Sequence, residues 1–222
     1  SVLVRVAACG ICGSDIPRGF DPGGAYHYPL VLGHEFSAVV EEDGPGVKRG
    51  ARVAVFPLIP KPGQAGFDTG DFAQTTNYDY FGSRRDGGMQ EFLRVPTSNL
   101  FPIPDSVKLL HAACTEPAAV ALHGVRKLRI SAGDTGLVIG AGPIGNIAAQ
   151  WLRIHGCARV IVADVDPRKL ELASSMGFET ISSANGDPVQ RLFDLTGGIG
   201  AQRVIEACGL PVTFAQSISC AA

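Results

Sequence analysis

Valines alternate with polar or small residues over Val2–Ala8, the period of a strand buried on one face. The same alternation recurs over Phe36–Glu42, Arg52–Phe56 and Gln90–Val95, and Pro96–Pro104 holds a further short strand. Asp43-Gly44-Pro45-Gly46 reads as a turn. Pro57–Tyr80 shows no period and is rich in Pro, Gly, Asp and Thr, so it reads as a long loop. Ser106–Ala113 reads as a helix. A second helix opens at Thr115-Glu116-Pro117, with proline in its first turn, and stays apolar to Leu128. This half is mostly β, with alternation suited to a barrel-like module.

The pattern then changes. Val138 and Ile139 form a short buried strand that runs into Gly140-Ala141-Gly142-Pro143-Ile144-Gly145. From Asn146 to Ile154 the apolar positions Ile147, Ala148, Trp151, Leu152 and Ile154 follow a helical period, and His155-Gly156 reads as its end. Ala158–Ala163 is a second strand, ending at Asp164. Asp166-Pro167 caps a helix to Met176, closed by Gly177. Thr180–Ser182 is a third strand, Asp187-Pro188 opens another helix to Thr196, and Arg203–Ala207 is a fourth strand, ending in Cys208-Gly209. Strands alternating with helices predict a parallel sheet.

Composition narrows the class. The chain has 222 residues, 45% hydrophobic and 18% charged, enough for one large domain or two small ones. Its net charge of -2 gives no general attraction to nucleic acid or to a membrane surface. There is no apolar run of membrane-spanning length and no signal-peptide pattern at the start. Cys9, Cys12, Cys114, Cys157, Cys208 and Cys220 are scattered, most in apolar surroundings, which predicts reduced thiols in the cytoplasm rather than a disulfide frame. The sequence begins inside a strand without Met and stops inside a helix after the fourth strand. A doubly wound domain has roughly six strands, so the expectation is an internal piece of a longer protein.

Two stretches carry candidate chemistry. Gly140, Gly142 and Gly145 have the G-x-G-x-x-G spacing of a dinucleotide turn, in the required context of a strand before and a helix after. Gly140 allows the tight turn, Gly142 lets backbone approach a pyrophosphate, and Gly145 lets helix pack on strand. Pro143 and Ile144 complete the turn, where the helix N-terminus offers free N–H groups to phosphate. Asp164 closes the next strand at about the spacing of the acid that accepts from the ribose 2′-hydroxyl. With no arginine directly after it, Asp164 favours NAD over NADP, and Arg168 slightly offsets that preference.

The second stretch is Cys9-Gly10-Ile11-Cys12-Gly13-Ser14-Asp15. A C-x-x-C pair suggests a redox motif or half a zinc site, and no thioredoxin-like pattern surrounds this one. Gly33-His34-Glu35 follows; Cys and His suit zinc, and a neighbouring carboxylate can be a third ligand. The plain structural alternatives are a satisfied loop histidine at His34, a solvated carboxylate at Glu35 and a helix-dipole carboxylate at Glu116.

Together, C-G-x-C-G-S-D, G-H-E, Asp86-Gly87-Gly88 with Glu91-Phe92, Thr115-Glu116-Pro117 and the glycine turn resemble, in order and over almost the whole chain, the zinc-dependent medium-chain dehydrogenase/reductase superfamily. Gly13-Ser14-Asp15-Ile16-Pro17-Arg18 and the stretch from Tyr26 to Ser37 resemble its polyol dehydrogenase branch. The resemblance implies an α/β protein: a GroES-like, mostly-β catalytic domain over 1–113 and a doubly wound Rossmann nucleotide-binding domain over 114–222, both incomplete in this chain. It implies a catalytic zinc held by Cys12, His34 and Glu116, with Glu35 as an alternating or additional ligand. Ser14 would begin a proton relay, Asp15 would orient His34, and Cys9 would be a packed thiol. The implied activity is transfer of a hydride from a secondary alcohol of a polyol or polyol phosphate to NAD, in a homo-oligomeric parent protein (dimer or tetramer).

Three departures from the family pattern matter. Ala38 stands where a glycine is usual, a local strain risk. Ala51 stands where an aspartate is usual. Lys61, Gln64, Phe67 and Thr75 occupy the positions of the four cysteines that hold a structural zinc in many relatives, so no structural zinc is expected; Phe67, Phe72 and Tyr78 would hold that lobe by packing. Arg84 and Arg85 could grip a substrate phosphate or be a solvated basic turn, and Glu206 and Cys208 could border the cofactor or pack beneath it. The competing reading is a truncated or non-catalytic dinucleotide-binding protein of the same fold.

Overall fold

The computed structural model describes residues 1–63, 70, 72–75, 77–184 and 186–222. It separates into two compact units, Ser1–Glu116 and Pro117–Ala222, against the expected boundary at 113–114.

In the first unit, β1 (Val2–Cys9) leads into a short helix, α1 (Asp15–Phe20), then β2 (Phe36–Val40), β3 (Arg52–Val55), β4 (Leu58–Pro60), β5 (Tyr78–Tyr80), β6 (Phe92–Val95), β7 (Leu100–Pro102) and the one-turn helix α2 (Leu109–Ala112). Five strands form an antiparallel sheet in the order β6-β1-β2-β3-β7. The alternation read from sequence sets its faces: Val2, Val4, Phe36, Ala38, Val40, Val53 and Val55 turn to one core with Phe81, Val95 and Leu100. Each of these valine, leucine and phenylalanine side chains contributes about 1.5–3 kcal/mol when fully buried.

The stretch Pro57–Tyr80 is not a plain loop. Its ends pair as β4 and β5, an antiparallel ladder joining Leu58 to Tyr80 and Pro60 to Tyr78. Strands of three residues are too short to show a period. Gln64 and Phe67 lie outside the described residues. Ala38 carries no strain: it sits inside β2 without a left-handed φ, and its methyl is wholly buried in the core. The helix expected from Ser106 is confined to α2.

Helix α3 (Thr115–Arg126) is followed in the second unit by β8 (Thr135–Ile139), α4 (Pro143–Ile154), β9 (Arg159–Asp164), α5 (Pro167–Ser175), β10 (Glu179–Ser182), α6 (Pro188–Leu195), β11 (Arg203–Glu206) and α7 (Pro211–Ser219). The strands form a parallel sheet in the order β10-β9-β8-β11. Such a sheet is apolar on both faces, because helices cover both. Val138 and Val162 accordingly face one core with Leu152 and Phe178, while Leu137, Ile139, Ile161 and Ala163 face the other with Ile181 and Leu192. Side-chain carboxylates cap α5 and α6: Asp166 accepts from Arg168 N and Asp187 from Val189 N. No helix is long and apolar enough to cross a membrane among the described residues.

Leu152 is fully buried in the α4 face of this core. Leu152→Ala should cost about 2–5 kcal/mol. Trp151, the only tryptophan, reports on the same helix, so urea unfolding followed by its fluorescence checks this; an unchanged midpoint would contradict the packing described.

Candidate metal centre and nucleotide turn

Two backbone segments are laced together at the end of β1. Cys9 pairs with Phe36, and Gly10 N donates to Glu35 O at 2.7 Å. Gly33 has φ 98°, and a Cβ there would lie 2.5 Å from Cys9 Sγ. Only glycine therefore lets the chain deliver His34 and Glu35 this close to β1. The result is a cluster in which Cys12 Sγ, a His34 ring nitrogen and a Glu35 carboxylate oxygen all lie within 4.8 Å of one another. It is the one such group of three or more among the described residues.

The donor set fits zinc. Bonds of about 2.0–2.3 Å place tetrahedral ligands roughly 3.3–3.8 Å apart, so inward shifts of about 1 Å or less would close the shell. Asp15 ties two of its members. It is 3% exposed; its Oδ2 accepts from Cys12 N at 3.0 Å and its Oδ1 faces His34 Nδ1 at 3.5 Å. That second separation is within ion-pair reach but too long for a good hydrogen bond; neither atom has a hydrogen-bond partner, and Arg18 Nη1 lies 3.7 Å from Oδ1. Nδ1 turned to a carboxylate leaves Nε2 as the free ligand atom, the arrangement that metal-bound imidazoles need.

Glu116 is not in the cluster of three but stands beside it. Tyr80 Oη donates to Glu116 Oε1 at 3.4 Å. Burial raises the Glu116 pKa, and the Glu35 charge adds to this, while His34 and the Tyr80 bond work against it. Burial beside Glu116 likewise pushes the Tyr80 phenol up. Cys9 is raised to about 11, by burial first and then by Asp15 and Glu35. Its Sγ donates to Gly10 O at 3.5 Å. Ser14 Oγ accepts from Arg18 Nη1 at 2.8 Å. That partnership was not read from the sequence, because α1 itself was not: Pro17 and Gly19 interrupt its six residues. Tyr80 was missed because it lies in the aperiodic stretch.

In the second unit the glycine turn has the geometry its spacing predicts. Gly140 has φ 105°, and a Cβ there would meet Cys208 Sγ at 2.7 Å. A Cβ on Gly145 would lie 1.7 Å from Gly140 O, whereas one on Gly142 would meet nothing within 4 Å. The first and third glycines are thus close approaches within the fold, and the second faces open space. Pro143 and Ile144 form the first turn of α4, whose cap residue Gly142 supplies no side chain. Asp164, 9% exposed, accepts from Ala141 N at 2.7 Å through Oδ2 and from Asp166 N at 2.8 Å through Oδ1. A carboxylate offers about four acceptor positions, so it can still accept from a ligand hydroxyl. Lys169 Nζ lies 3.9 Å from Asp164, a neighbour the sequence reading did not single out. Arg168 instead joins the Asp166 carboxylate, at 2.9 and 3.1 Å. The Glu206 carboxylate accepts from Cys208 N, Gly209 N and Thr213 Oγ1 and so braces its own turn.

Comparison with known proteins gives the class. Residues 1–105 match the model for the alcohol dehydrogenase GroES-like domain, and residues 143–222 match that for zinc-binding dehydrogenases. The chain belongs to the zinc-dependent medium-chain dehydrogenase/reductase superfamily, with a GroES-like fold followed by a Rossmann-like one. Among particular relatives, galactitol 1-phosphate 5-dehydrogenase of Escherichia coli K12 is 35% identical over 99% of this chain and 64% of its own length. The crystal structure of galactitol-1-phosphate dehydrogenase from E. coli superposes with a TM-score of 0.90 at 34% identity, covering 100% of this chain and 65% of that one. A zinc-binding dehydrogenase from Sinorhizobium meliloti 1021, bound to NADP, gives 0.91 at 34% identity over 99% of this chain and 66% of its own. The chain thus spans a little under two thirds of the length of these relatives.

The glycine geometry sets an order of tolerance. Gly145→Ala should lose roughly 2–3 kcal/mol or more, since backbone must move, while Gly142→Ala should stay within about 0.5 kcal/mol of wild type. Thermal unfolding of the two variants checks this; equal losses would contradict it.

Proposed function

We propose that the parent protein oxidises a secondary alcohol of a polyol or polyol phosphate, with a catalytic zinc and NAD. The observation that carries this is the cluster of Cys12, His34 and Glu35 with Glu116 beside it, preceding a complete strand–glycine turn–helix unit. Cys12, His34 and Glu116 hold the metal, and Glu35 serves as an alternating or additional ligand. When bound, zinc supplies Lewis-acid polarisation of a substrate hydroxyl, and the nicotinamide supplies the hydride acceptor.

The chain's own residues do the rest. Asp15 fixes the His34 ring through Nδ1 and the Cys12 backbone through Oδ2. Ser14 takes up and passes on the substrate proton at Oγ; the Arg18 guanidinium occupies one acceptor position of that oxygen and leaves its O–H free to point elsewhere. Gly140, Gly142, Pro143, Ile144 and Gly145 receive the pyrophosphate on backbone N–H groups. Asp164 accepts from the ribose 2′-hydroxyl, and its charge beside that position disfavours the 2′-phosphate of NADP. Arg168 is joined to Asp166, and Lys169, 3.9 Å from Asp164, partly offsets this preference. No structural zinc is expected: Lys61 bonds Asn77 at 3.1 Å, and Thr75 is a buried hydroxyl bonded to Phe72 O. Six free thiols suit the cytoplasm.

Cys12→Ser in the full-length protein should lower turnover about 10³-fold or more and deplete bound zinc, with NAD affinity within about twofold of wild type. Metal analysis, NADH production and NAD titration are the measurements. Normal zinc content with normal turnover would sink the assignment.

A further inference from the structure

A cavity of about 170 Å³ opens beside the metal-ligand cluster, and Ser14 and His34 form part of its wall. The opposite character of the wall is cationic: Arg18 and Arg84 both line it. Arg84 is held rigidly. Its Nη1 donates to Tyr78 O at 2.9 Å, and its guanidinium lies 4.1 Å from the Tyr78 ring centroid and 5.3 Å from that of Tyr26. Stacking of this kind fixes the plane of the group and leaves its edge N–H donors free. No carboxylate pairs with Arg84 among the described residues. Arg18 donates to Ser14 through Nη1 and has Asp15 at 3.7 Å, a long partial pairing.

Arg85 is different. It pairs with Asp79 at 3.3 Å, stacks over Phe81 and lines a separate cavity with Phe92 and Arg94. The two adjacent arginines therefore do not grip one ligand, and the partner of Arg84 is Arg18. Two guanidiniums on one small cavity, one of them without a counter-ion, match a dianion better than a single carboxylate. A phosphate monoester carries about -1.5 to -2 near neutral pH and accepts several N–H donors at once.

We infer that Arg18 and Arg84 form a phosphate subsite beside the metal cluster and select a phosphorylated polyol over the free one. The substrate class rests on the reading under Proposed function; the anion site does not. The test therefore has a binding arm and a turnover arm. In the binding arm, inorganic phosphate is titrated calorimetrically into the zinc-loaded chain at constant chloride. Phosphate should bind, Arg84→Gln should weaken it about tenfold or more, and Arg85→Gln should leave it within about twofold. Absence of phosphate binding, equal affinity in Arg84→Gln (as for phosphate held on the metal alone), or tighter binding of acetate would overturn the inference. In the turnover arm, kcat/KM for a hexitol 1-phosphate should fall about tenfold or more in Arg84→Gln, while that for the free hexitol stays within about twofold. Phosphate binding that depends on Arg84, with no alcohol oxidised, would sustain the anion site and defeat the proposed reaction. Oxidation of the free hexitol in preference to its phosphate would do the reverse.

Discussion

The first unit is arranged around a charge problem. Cys12, Glu35 and Glu116 converge on one region, Asp15 is buried behind it, and His34 is the ring they share. Carboxylates brought together under partial burial repel one another, and burial first, with the Glu35 charge adding to it, raises the Glu116 pKa. In the proposed function a dication resolves that conflict, and ligands already held in place favour its binding. The holding is done by groups that are not ligands: Asp15 through Cys12 N and toward His34 Nδ1, Gly33 by its close approach to Cys9, and the bond from Gly10 N to Glu35 O.

The nucleotide turn meets the opposite demand with the same economy of means. For the proposed dinucleotide it would present donors to an anion with backbone rather than side chains. The strand–helix distance is set by Gly145, whose missing Cβ is replaced by the Gly140 carbonyl. Asp164 reaches back to Ala141 N and so steadies the turn as well as being the proposed acceptor of the ribose hydroxyl. In the proposed function one carboxylate thus serves fold and ligand together, as Asp15 does in the other unit.

The parts legible in the sequence were those whose signal is local or periodic. The strand alternation, the cap-and-proline starts of α5 and α6, and the glycine spacing all fall within a few residues, and the structure has them where the pattern put them. The parts that were not legible depend on contacts between distant segments or on short elements. Helix α1 hides behind Pro17 and Gly19, and with it went the Ser14–Arg18 bond. β4 and β5 are three residues each, too brief for a period, so Tyr78 and Tyr80 could not be placed near Glu116 and Arg84. Adjacent Arg84 and Arg85 admitted either a joint phosphate grip or a solvated basic turn in the sequence, and the turn sends their side chains to different neighbours.

The central claim is that the pre-arranged cluster takes a metal. Crystals of the zinc-loaded chain, with anomalous diffraction recorded on both sides of the zinc absorption edge, test it directly. The account predicts one strong peak bounded by Cys12 Sγ, a His34 ring nitrogen and the carboxylates of Glu35 or Glu116. A zinc-edge peak elsewhere in the chain, or none at this cluster, would contradict it.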